Sequence, residues 1–116
     1  MAAALGTAGS EYAAIPPMIA TGRRSAMVHA MPHRVPVAKG DIVILELAGV
    51  CNRYHVVTMR TACVGKPSGR AQDVALLLEE AFHAAVDACQ PGAVAGAPNR
   101  ACNAVLDRLD LSRTRV

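Results

Sequence analysis

The chain has 116 residues, of which 53% are hydrophobic and 18% charged, with seven Pro and nine Gly. That is one domain's worth of chain with enough apolar side chains for a core, and it excludes a disordered tail, a collagen-like repeat and a coiled coil. The net charge of +3 is scattered, and one Phe, two Tyr and no Trp leave almost nothing for single-stranded nucleic acid to stack on.

The N-terminal Met1-Ala2-Ala3-Ala4-Leu5 lacks a basic leader, and its apolar run ends at Gly6, so it does not read as a signal peptide. Ala-rich residues 1–8 predict a helical stub that stops near Gly9. Pro16 and Pro17 forbid helix, so Met18 starts a short edge strand. Residues 22–40 read as a long loop punctuated by Pro32, Pro36 and Gly40, a length that suggests function. Asp41 to Leu47 is the clearest strand, and Tyr54 to Val64 is a second one rich in Val and Thr. A two-residue turn at Cys51-Asn52 makes them an antiparallel hairpin of about 41–49 and 53–64, with Glu46 opposite Val57 and Ile44 opposite Met59.

Ser68 or Gly69 caps a helix running to about Gln90, with Val74, Leu77, Leu78, Ala81, Phe82, Ala85, Val86 and Cys89 on one apolar stripe. A second helix runs from about Pro98 to Leu109, and an irregular tail occupies 110–116. The fold class is α+β: an antiparallel hairpin and a short strand packed by two helices. No apolar stretch is long enough to span a membrane. The four Cys form no C-x-x-C pair, so free thiols in the cytoplasm are the expectation.

Four residues are candidates for chemistry. Glu46 is a carboxylate among Ile42 and Ile44; it is either an edge residue facing water or a site group with Arg60 or a ligand as partner. His29 lies in the long loop, either as a surface residue or as a general base. His55 alternates to the face of Val57 and Met59 and so toward Glu46. His33 is separated from His29 by Pro32, which breaks any helix that would pair them for a metal, and His83 reads as solvated. There is no G-x-S-x-G, phosphate-binding, H-E-x-x-H or dinucleotide fingerprint, and no cofactor is expected.

Seven segments in order carry a resemblance: Gly9-Ser10-Glu11-Tyr12, Pro17 to Gly22, Val28-His29, Gly40 to Leu47, Tyr54 to Thr61, Gly65-Lys66-Pro67 and Gln90-Pro91-Gly92. Together they resemble the "pita-bread" superfamily of creatinase, aminopeptidase P, prolidase and methionine aminopeptidase, over about residues 1–109. Metallopeptidases of that superfamily place one Asp where Glu46 stands and a second eleven positions on, inside an Asp-x-Thr-Arg-Thr run. This chain has Val57 there, in Val57-Thr58-Met59-Arg60-Thr61. Val has no lone pair, so the resemblance implies a degenerate metal site. Creatinase also lacks these Asp ligands, and Glu46 to Gly49 with Arg53 to His55 look more like the creatinase and ectoine-hydrolase side. There, His29 matches the proton-shuttling His.

The resemblance implies roughly the first half of a catalytic domain over 1–116, because the complete fold goes on to a further His-containing run and two Glu. The expected function is a partial hydrolase for C–N bonds in small molecules or peptides, inactive until completed. His29 is its proton-transfer residue, Glu46 and His55 are pocket or residual ligand groups, and Arg60 orients Glu46. The alternative is a non-catalytic remnant or interaction module. The expected partners are a small-molecule or peptide substrate and a second copy of the chain, with neither nucleic acid nor membrane. Self-association is expected because part of the helical stripe should be exposed.

Overall fold

The computed structural model describes residues 1–31 and 33–111. It is a mixed α/β structure with two compact units, Met1–Pro67 and the segment from Ser68 on.

The first unit is a three-stranded antiparallel sheet in the order β1 (Met18–Thr21), β2 (Ile42–Cys51) and β3 (Tyr54–Cys63). A short helix, α1 (Ala2–Thr7), precedes it. Gly9, at φ +90, ends α1: its N–H bonds Gly6 O, and the next N–H, of Ser10, bonds Leu5 O. This left-handed stop turns the chain into an extended run along β2. Glu11 N donates to Val50 O and Ala14 N to Ala48 O. The strand that begins after Pro16-Pro17 then pairs Met18 with Glu46 and Thr21 with Val43. β2 is therefore the central strand, and Glu46, Ala48 and Val50 are its buried positions.

The hairpin forms, but its turn is one residue further on than the sequence suggests. The two loop residues are Asn52 and Arg53, at φ 50 and 67, and Cys51 pairs with Tyr54. Two positive φ values in succession define the turn that matches strand twist, and Asn tolerates that region better than Cys. A contact remote in sequence holds it as well: Asn52 N donates to Glu11 Oε1 at 2.7 Å. Consequently Glu46 faces Met59, and Val57 faces Ala48. β2 runs on to Cys51, beyond the expected 49, and β3 begins at Tyr54 rather than 53.

Between β1 and β2 the chain makes a short 3-10 helix, Gly22–Ala26. Asp41 gathers this region, since its Oδ2 accepts from Ala38 N at 2.8 Å and Thr21 Oγ1 at 3.3 Å. Gly22, at φ +57, passes so close that an added Cβ would lie 3.1 Å from Asp41 Oδ1.

The second unit is an antiparallel helix pair, α2 (Gly69–Asp87) and α3 (Ala97–Leu106). Ser68 caps α2, its side chain accepting from Ala71 N. Pro98 sits in the first turn of α3, where its missing N–H costs nothing. Leu77 and Ala81 of α2 pack with Leu106, and Cys102, Val105, Leu109 and Leu111 close around them. Asp110, at φ 52, reverses the chain so that Leu111 N bonds Leu106 O. Arg108 pairs with Glu80 at the surface. The expected apolar stripe splits, for only Leu77 and Ala81 of α2 are buried, while Leu76, Leu78, Phe82 and Val86 are exposed. The irregular tail expected over 110–116 falls outside the described residues from Ser112 on.

Candidate functional site

Strand alternation sorts the candidate residues. Glu46, Ala48 and Val50 of β2 share one face with Met59, Val57 and His55 of β3, their rung partners. Glu46 is 7% exposed and sits between Met18 on β1 and Met59 on β3. Among the described residues no buried side-chain N or O lacks a partner, so the Glu46 carboxylate, which has no hydrogen bond there, keeps its oxygens open to water at the edge of an otherwise apolar rung.

Arg60 does not orient Glu46. It pairs with Leu45, so it belongs to the opposite face, and its Nη1 donates to Thr58 Oγ1 at 2.8 Å and to Met59 O at 2.7 Å. The one-residue shift of the turn leaves Arg60 on that face, because any even-numbered residue of β3 alternates away from Glu46.

His55 does share the face of Glu46, but at the other end of the strand. It pairs with Val50, four residues from Glu46 along β2, which is roughly 13 Å at strand rise. Its ring meets Tyr12 edge to face, with centroids 6.1 Å apart. Tyr12 follows Glu11, whose N–H bonds Val50 O, so the two rings meet across the rung of Val50. Tyr12 and Glu11 escaped the sequence reading as positioning residues. Their only signal was the Gly9-Ser10-Glu11-Tyr12 segment, which gives no hint of what it will lie beside.

His29 is exposed at φ 52 in a turn that follows the 3-10 helix. A left-handed conformation is uncommon for a residue with a side chain, and His is among the types that tolerate it. The loop around it is held by Arg24, whose Nη2 donates to Met31 O at 2.9 Å. Four exposed apolar residues, Met27, Val28, Met31 and Val35, flank His29 in the sequence.

The donor set does not fit a metal pair. Glu46 and Val57 lie on one face as diagonal neighbours, not on one rung, and Val57 offers no donor. Among the described residues no three His, Cys, Asp or Glu side chains converge.

Comparison with known proteins places this geometry. The sequence matches the metallopeptidase family M24 over residues 1–115. The chain belongs to that family. An Xaa-Pro dipeptidase from Pyrococcus furiosus is 33% identical over 87 residues, 75% of this chain and 25% of that enzyme. An ectoine hydrolase from Halomonas elongata is 30% identical over 105 residues, 90% of this chain and 26% of that enzyme. Among solved structures, the prolidase from Pyrococcus furiosus superposes with a TM-score of 0.83 at 27% identity, over 93% of this chain and 32% of that one. The dipeptidase PepE from Mycobacterium ulcerans gives 0.87 at 28%, over 97% and 30%. The chain thus has a partial pita-bread fold and spans a quarter to a third of the length of these M24 relatives. Both prolidase-type enzymes and an ectoine hydrolase are among them.

Proposed function

We propose that this chain is part of an M24 hydrolase domain acting on C–N bonds of peptides or small molecules, and that by itself it turns over no substrate. The observation that supports this most directly is the Glu46 face. Glu46, a buried residue, stands where the resemblance puts one family ligand, and Val57 where it puts the second; the two lie on one sheet face. In this reading Glu46 is a pocket carboxylate that binds a cationic or N–H-bearing substrate group. His55 lines the far end of the same face. His29 moves a proton to or from the reacting group through its imidazole, a contribution of about 10²–10⁴-fold when substrate is held in place. Holding it in place needs groups on more than one side of the reacting bond. Among the described residues the candidates are Glu46 and His55 on one sheet face and His29 in the loop after the 3-10 helix.

The reading extends to a peptide or small-molecule substrate, a second copy of the chain as partner, no nucleic acid, and the cytoplasm, where its free thiols stay reduced. No helix among the described residues is long and apolar enough to cross a membrane.

Metal analysis of protein purified without added metal, with assays on an Xaa-Pro dipeptide and on creatine, tests the proposal. The expected result is less than stoichiometric Mn, Co or Zn and no turnover. One equivalent of tightly held metal, or turnover that vanishes in His29→Ala, overturns it. A non-catalytic interaction module is the second reading, favoured by the exposure of β3 described next.

A further inference from the structure

β3 is an outer strand with a free side. Cys51 and Tyr54 flank a two-residue turn, so odd-numbered residues of β2 bond even-numbered residues of β3. His55, Val57, Met59 and Thr61 therefore direct their N–H and C=O groups away from the sheet. Among the described residues, the only partner any of these groups has is the Arg60 guanidinium on Met59 O. Apolar side chains on both faces of the strand stand in water: Tyr54 81%, Val56 69%, Val57 54% and Met59 54% exposed. The strand contains no Pro, Lys or bulge that would blunt it. β1, at the other edge, is four residues long and preceded by two Pro.

We propose that two copies of this chain pair β3 to β3, antiparallel about a two-fold axis at Thr58, into one continuous sheet. This rests on the reading that the chain self-associates, and it assigns the contact. The strand is complementary to itself in that register. Val57 faces Met59 of the second copy and exchanges both main-chain bonds with it, and His55 does the same with Thr61. On the opposite face Tyr54 meets Ala62 and Val56 meets Arg60, so large side chains meet small ones and no like charges face each other. An axis at Arg60 would oppose two guanidinium groups directly, and like charges in that position are unfavourable. The axis at Thr58 also keeps nine residues paired on each strand. Because the short β1 edge stays outermost, the assembly closes at two copies. Arg60 competes with the pairing, since Met59 O must leave its guanidinium to accept from Val57 of the second copy.

Sedimentation velocity and an oxidative cross-link test this. The wild-type chain should be a dimer at tens of micromolar. Val57→Pro deletes an outward N–H and no bond to β2; it should keep the far-UV CD and weaken the dimer at least about tenfold, the loss of one bond from each copy. Arg60→Ala should tighten the dimer. In a chain with all four native Cys changed to Ser, Thr58→Cys should form an intermolecular disulfide, and Val56→Cys should not. A wild-type monomer at every concentration overturns both the self-association reading and this interface. A dimer that survives Val57→Pro, fails to cross-link at position 58 and dissociates in Phe82→Ser overturns only the interface and moves it to α2.

Discussion

Asn52 and Arg53 both hold positive φ, at 50 and 67, and only the first is a residue type suited to it. Arg53→Gly removes a side chain that the left-handed region disfavours by about 1–2 kcal/mol, offset by the greater freedom of Gly when unfolded. A net gain of about 0.5–1 kcal/mol is expected, read as a higher denaturation midpoint at unchanged slope. Glu46 presents the opposite situation, a polar group kept where an apolar one fits. Glu46→Leu places a side chain of similar size between Met18 and Met59 and should raise stability by about 1 kcal/mol. A loss of stability in that variant would show that the carboxylate has a partner within the fold, and its assignment to a substrate would fall.

At the scale of elements, α2 and α3 depend on a small number of contacts. Leu106 is 3% exposed at the centre of the cluster with Leu77 and Ala81. Leu106→Ala should cost about 2–4 kcal/mol, visible in urea titrations followed by far-UV CD. The Ser68 hydroxyl satisfies one of the first free N–H groups of α2. Its loss in Ser68→Ala should cost about 1 kcal/mol, a smaller shift of the same transition. The surface pair between Arg108 and Glu80 belongs to a different class, because both side chains are more than half exposed and water screens them.

For the molecule as a whole, what is unusual is how much strand is left without neighbours. The central β2 is bonded on both sides, whereas β3 is bonded on one and exposed on both faces. The chain spans a quarter to a third of the length of the M24 relatives it matches. Metal content belongs to this scale too, since among the described residues no three His, Cys, Asp or Glu side chains converge.

The order and type of the elements were legible in the sequence because each rests on local chemistry. Pro16-Pro17 delays β1, Ser68 caps α2, Pro98 opens α3, and alternating Val, Ile and Thr define the hairpin. The family was legible too, through short segments whose order survives although single residues such as Val57 have changed. Two things drew on contacts remote in sequence. The turn moved to Asn52-Arg53 because Glu11, forty-one residues earlier in sequence, accepts the Asn52 N–H. That shift moved every rung partner by two residues, carrying Glu46 from Val57 to Met59, and an even change keeps the faces, so Arg60 stays on the far face in either register. The burial of the helical stripe was the other. Periodicity shows that Leu77, Leu78, Ala81, Phe82 and Val86 lie on adjoining sides of one helix, but it does not show which of them a neighbour covers. Only the packing of α3 selects Leu77 and Ala81 and leaves the rest to water.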